Sequence, residues 1–456
     1  MIPISPMPPQ IREPMLRPRV TLARGPAIRR PLDLLRLALS ALMLLTVSRV
    51  HEHFGILSAM RPALLLAGLA AVYAFMNPQS LAGTRWLRTW PARVVVALGV
   101  LACFSAVFGI SLGGAARTLL EDYSKVLLFA FLLMATIRGT KDLRGYVWAY
   151  VVSAGVLVWL SLFVFGLSKP AADGFARLDF QHSFDSNDVG VVLLVALGLA
   201  LLTFHTSRRL GKVVSAAILL GIGATLARSG SRGAFLGLLA SLAALFLLVQ
   251  RVPLVSRLAF ASAVITGLVL LSPPGYWQQM QTVFKPTEDY NWTAPGGRKD
   301  VWLSGLRYMK SYPVFGIGIG NFARAEGTIS ERALNWTPGS AGIKWSAAHN
   351  SFVEAGAELG VPGLIVWSSL VFGGIGAMYR LRRRLPKSWA SGDSDQRFLY
   401  MATVYLPVSL VGFGVSAFFV SFAFIDPIYI LAAFITGMYV IVERKLAEGR
   451  RSAPRN

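Results

Sequence analysis

Four arginines and one histidine are the residues of this chain best suited to chemistry. Arg228 and Arg232 bracket a Ser-Gly-Ser turn, Arg298 follows Gly297, Arg177 precedes the polar run Phe184-Asp185-Ser186-Asn187-Asp188, and His349 stands before Asn350-Ser351. A guanidinium stays protonated and donates two parallel charge-assisted hydrogen bonds to phosphate oxygens, so two or three of them match the charge of a diphosphate. An imidazole titrates near ~6.5 and can take a proton from a hydroxyl at neutral pH. The plainer alternatives are structural. The arginines would snorkel to lipid headgroups or close helix C-termini, and His349 would mark a helix boundary, although Asn350 and Ser351 are better caps and leave its ring unengaged.

The elements that must position these residues follow from composition. With 54% hydrophobic and 15% charged residues and a mean hydropathy of +0.56, the chain is an all-α polytopic membrane protein. Its apolar runs are continuous instead of alternating, which selects helices over a barrel. About twelve runs near spanning length predict a basic arm at 1–31, nine spans within 32–271, one large loop at 272–350 containing short helices, three spans within 351–442 and a tail at 443–456.

Orientation comes from the basic residues. With both termini on one side, that side holds 28 of the 45 lysines and arginines, which by the positive-inside rule makes it cytoplasmic. The opposite short connections hold only Arg49, Arg117, Lys169, Arg177, Arg228 and Arg232. Arg228 and Arg232 thus run against the bias at an outer turn, where positive charge has a use of its own. The first run follows a Pro- and Arg-rich arm without a small-residue cleavage site, as in a signal anchor. Dispersal of the basic residues over many segments speaks against nucleic-acid binding.

Other motifs have modest readings. Asp185 and Asp188 suit an N-cap better than a cation site, so no metal is expected. His51-Glu52-His53 lacks the helical spacing of zinc motifs. Gly316, Gly318 and Gly320 follow no strand and read as backbone flexibility after Pro313. Residues 299–310 suit a helix lying on the bilayer or on the bundle, as a lid. The single cysteine, Cys103, excludes an internal disulfide.

Taken in order, Ser231-Arg232-Gly233 opening an apolar helix, Gly297-Arg298 with Trp302 four residues after the arginine, Tyr312-Pro313-Val314-Phe315-Gly316-Ile317-Gly318, and His349-Asn350-Ser351 with Glu358-Leu359-Gly360-Val361-Pro362-Gly363 form a set. The set resembles the O-antigen ligase and O-antigen polymerase superfamily over about residues 215–370. The resemblance implies a glycosyltransferase of the bacterial inner membrane with its site facing the periplasm. Such an enzyme moves a whole glycan from undecaprenyl diphosphate to a hydroxyl of a lipid A core sugar (ligase) or of another glycan (polymerase), with no cofactor. Arg232 and Arg298 then match diphosphate contacts and His349 matches the residue that activates the acceptor. Arg228 and Arg177 join the diphosphate set on charge and topology. Asp185-Ser186-Asn187-Asp188 departs from relatives that carry Pro before Asn. A transporter or flippase of the same lipid is the rival class. It requires charges deep in the spans, for which Arg61 and Lys125 are the candidates.

Overall fold

The computed structural model describes residues 33–167, 177–179, 184–248, 253–285, 287, 292, 294, 296–337 and 342–452. The chain divides into two units, Met1–Asp33 and Leu34–Asn456, and the expected basic arm at 1–31 lies outside the described residues. The described part is helical, with α1 (Leu34–Ser48), α2 (Pro62–Met76), α3 (Trp90–Phe108), α4 (Ser124–Thr136), α5 (Thr140–Trp159), α6 (Ser186–Thr206), α7 (Arg209–Ser229), α8 (Arg232–Leu248) and α9 (Leu254–Leu271) preceding the long loop. The loop carries α10 (Arg298–Ser311) and the short helices Tyr276–Gln281, Phe322–Thr328 and Glu331–Leu334. Then follow α11 (Ser351–Arg384), α12 (Ser394–Ser416) and α13 (Asp426–Ser452).

Among the described residues, eight helices are long and apolar enough to cross a membrane unaided: α3, α5 with its π-helical extension to Val164, α6, α7, α9, α11, α12 and α13. The other four of the twelve expected runs are helical but shorter. They are α1, α2 and α8, and α4, which continues a π-helical turn at Thr118–Tyr123. Arg61 sits at the N-cap of α2 and Lys125 lies 3.8 Å from Asp122 with its side chain 43% exposed, so neither is a charge sealed inside the bundle.

Burial sorts the helices into layers. α6 is buried on nearly every side, packed by α12, α7, α8 and α5, as expected of a helix apolar all round. α9 buries only Leu268, and Phe75, Leu220, Val255 and Leu270 are 88, 74, 77 and 76% exposed. Apolar surface left in water costs about 25 cal/mol per Å², whereas a lipid solvent removes that cost and leaves backbone pairing as the requirement, which helices meet.

The connections gather at two ends of the bundle. At one end, Arg144 pairs with Asp395 at 3.3 Å, Lys445 lies 3.8 Å from Asp395 and Arg382 Nη1 donates to the Leu248 carbonyl at 2.7 Å. At the other, the long loop docks on α11 through Val301, Tyr308, Met309, Ile317, Phe322 and Ala325, packed on Val353 and Ala357. α10 lies against α11, with Leu303 and Leu306 still 43 and 55% exposed.

Two of the sequence motifs explain each other here. α11 breaks at Gly360, φ 77°, because Pro362 has no amide for the Glu358 carbonyl four residues back. Glu358 O accepts instead from Ser105 Oγ at 2.5 Å and from Gly318 N at 3.2 Å, Ala357 O accepts from Ile317 N at 2.9 Å, and Val361 N donates to Pro313 O at 2.8 Å. The Glu358 carboxylate accepts from Gly320 N at 2.6 Å and Phe322 N at 3.0 Å. The run Tyr312 to Gly320 is therefore a fitted plug for a broken helix. This corrects the expectation of backbone flexibility at its glycines.

Gly316 has φ 70°, and a Cβ there would collide with the Glu358 and Ala357 carbonyls. Gly316→Ala is expected to destabilise the protein by about 1–3 kcal/mol, the usual cost of a strained backbone position, read as a lower Tm in detergent. Gly376→Ala, at an open position of α11, should leave Tm unchanged or raise it slightly.

Candidate active site

A cavity of about 270 Å³ opens at the loop end of the bundle, lined by Arg177, Asp185, Asn187, Arg232, Gly233, Ala294, Gly296, Gly297, Arg298, Val301, Lys344, Ser346 and His349. Its wall is built from helix beginnings: those of α6, α8 and α10 all meet it. Helix N-termini present backbone N–H groups and the positive end of the macrodipole, which favours an anion.

Each beginning has a local cause. At α6, the Asp185 carboxylate accepts from Asn187 N at 2.7 Å and Asp188 N at 2.9 Å, while Asp188 Oδ2 accepts from Asp185 N at 3.0 Å, a reciprocal capping box. The capping role expected for this pair is the one observed. At α8, Ser231 Oγ accepts from Ala234 N at 3.2 Å and donates to Asn187 Oδ1 at 2.8 Å, tying the starts of α8 and α6 together. Arg232 Nη1 donates to Thr282 Oγ1 at 2.7 Å, which orients the guanidinium. α10 starts from Gly297 with no described side chain capping it, and Asp300 Oδ2 takes the Gly296 amide at 2.9 Å.

His349 stands immediately before α11. Asn350 Oδ1 is the cap, accepting from Phe352 N at 3.0 Å and Val353 N at 3.2 Å, so the ring is not spent on capping. His349 holds φ 47°, a left-handed conformation that costs a non-glycine residue roughly 1–2 kcal/mol, and such strain clusters at functional positions. The ring is exposed at the cavity, yet neighbouring protein displaces enough water to lower its pKa. The positive charges of Arg298 and Lys344 lower it further and Asp185 opposes them.

The cavity thus brings together Arg177, Arg232, Arg298 and His349 of the five residues singled out from sequence. Arg228 is absent from its lining. Arg228 Nη1 instead donates to the Leu162 carbonyl at 2.7 Å, within the π-helical turn Leu160–Val164 that extends α5. Lys344 is a wall residue the motifs did not indicate, although its place five residues before His349 on the loop's return was a signal. Among the described residues, no group of three or more His, Cys, Asp and Glu side chains is placed to hold a metal ion.

Residues 216–368 match the family model described as O-antigen ligase. No curated protein matches the chain. The match takes in Arg232, Arg298, Lys344 and His349, and the cavity is completed from outside it by Arg177, Asp185 and Asn187. The chain thus carries at residues 216–368 a domain of the O-antigen ligase type, which supports the O-antigen ligase and polymerase superfamily.

Proposed function

We propose that this protein transfers a glycan from a polyprenyl diphosphate, the undecaprenyl lipid in bacteria, to an acceptor sugar hydroxyl at the periplasmic face of the inner membrane. The observation that carries the reading is the single cavity shared by Arg177, Arg232, Arg298 and Lys344 with His349 at its edge. Fixed cations suit a leaving diphosphate, which needs charge neutralisation more than protonation.

In this scheme the arginines hold the two phosphates. His349 removes the proton of the acceptor hydroxyl as its oxygen attacks the anomeric carbon. The new glycosidic bond forms as the bond to the diphosphate oxygen breaks, and the lipid diphosphate leaves with the electron pair. Attack opposite the leaving group inverts the anomeric centre. Arg228 has no part in it.

The test is transfer by purified protein from a polyprenyl-diphosphate glycan to lipid A core or to a second glycan, with a chelator present. Product on the first acceptor identifies a ligase and on the second a polymerase. Absence of product on both, or activity restored only by a divalent ion, sinks the proposal.

The depressed pKa of His349 gives a further expectation. A base works unprotonated, so the rate falls as pH drops through its pKa, and a lowered pKa extends activity to more acidic pH. Lys344→Gln removes a charge that lowers the pKa and Asp185→Asn one that raises it. The acidic limb of kcat/KM against pH should move up in the first variant and down in the second. Parallel movement would exclude His349 as the titrating group.

A further inference from the structure

The connector between α12 and α13 is held more tightly than a surface turn requires. Ser351 Oγ donates to the Val420 carbonyl at 2.8 Å and accepts from Phe422 N at 2.9 Å. Glu354 Oε2 accepts from Ala423 N at 2.9 Å. The Ala423 carbonyl accepts from Trp367 Nε1 at 2.8 Å and from Tyr429 Oη at 2.9 Å. Val420, Phe422 and Ala423 are buried, as are Ser351, Trp367 and Tyr429, so these bonds work away from competing water.

One hydroxyl leaves this braced segment toward the cavity side. Ser421 Oγ accepts from the His349 backbone amide at 2.9 Å. Among the non-glycine residues that line the cavity, His349 has a left-handed backbone, a conformation that relaxes unless its surroundings hold it.

We infer that Ser421 is a positioning residue for His349, its hydroxyl fixed by the connector that Ser351, Glu354, Trp367 and Tyr429 brace, so that the imidazole is held facing the cavity. This rests on the reading of His349 as the base for the acceptor hydroxyl. A net hydrogen bond and a left-handed backbone are of the same energetic order, so loss of the one is enough to release the other. The ring then moves by a distance that matters for proton transfer, while the arginines that hold the donor stay where they are.

The experiment compares Ser421→Ala, Ser421→Thr and His349→Ala in the intact protein, measuring donor binding, kcat, Tm and hydrogen exchange at the His349 amide. In Ser421→Ala, kcat should fall by about ten- to hundredfold, the scale of an angstrom-level misplacement of a reacting group. Donor binding and Tm should hold, and the His349 amide should exchange faster. Ser421→Thr, which keeps the hydroxyl, should recover most of kcat. Wild-type kcat in Ser421→Ala, equal losses in the Ala and Thr variants, or a parallel loss of donor binding would each overturn the inference. If His349→Ala itself turns over normally, it is the underlying reading of the base that fails. If His349→Ala is inactive and Ser421→Ala is normal, only the positioning role fails.

Discussion

His349→Ala should bind the lipid-linked donor as the wild type does and yield product about 10² to 10⁴ times more slowly, the usual contribution of a general base. The expectation of intact binding rests on the cavity's division of labour. The cations lie on Arg177, Arg232, Arg298 and Lys344, and the imidazole adds no charge when its pKa is depressed. Removing the ring also relieves nothing in the cap of α11, because Asn350 provides that cap. Donor binding is read by titration of the labelled lipid and product by gel or mass spectrometry, at matched expression. Wild-type turnover would make His349 a loop residue and direct the search for a base to Asp185, Asp188 and Glu354.

Arg232→Lys keeps the charge and loses the fork. Donor binding should weaken roughly ten- to hundredfold, the equivalent of one charge-assisted hydrogen bond at about 1.5–3 kcal/mol. The ammonium is a point donor that cannot bond Thr282 and a phosphate in one plane. A stability loss with unchanged donor affinity would instead make Arg232 a tether between α8 and the Tyr276–Gln281 segment. Arg228→Lys serves as the contrast. Its partner is the Leu162 carbonyl, so donor affinity should be unchanged.

These two arginines also show how far the sequence could be read. Both stand at the same turn with the same charge. A helix tilts its side chains toward its own N-terminus, which favours an outward reach for Arg232 at the start of α8 over Arg228 at the end of α7, and it is Arg232 that lines the cavity while Arg228 bonds the Leu162 carbonyl. That rule was available without coordinates, whereas the place of Arg177 was not. It precedes α6 on a stretch with no regular pattern, and among the described residues the bridge between Leu178 and Leu167 and the bond from Asp179 N to the Gly166 carbonyl hold the chain beside it.

Composition and continuous apolar runs determined by themselves that the chain is a bundle of membrane helices, because a bilayer admits few other ways to satisfy the backbone. The residue types at the loop end likewise determined which side chains were fit for phosphate and proton chemistry. The tertiary structure decided what those statements could not. Among the described residues, four of the twelve runs form helices below spanning length, one of them continuing a π-helical turn. The glycines after Pro313 serve a break in α11, because freed carbonyls at Ala357 and Glu358 need donors that sequence cannot pair across forty residues. The conformation of His349 depends on Ser421, seventy-two residues away, through a contact that exists only once α11, α12 and α13 are packed.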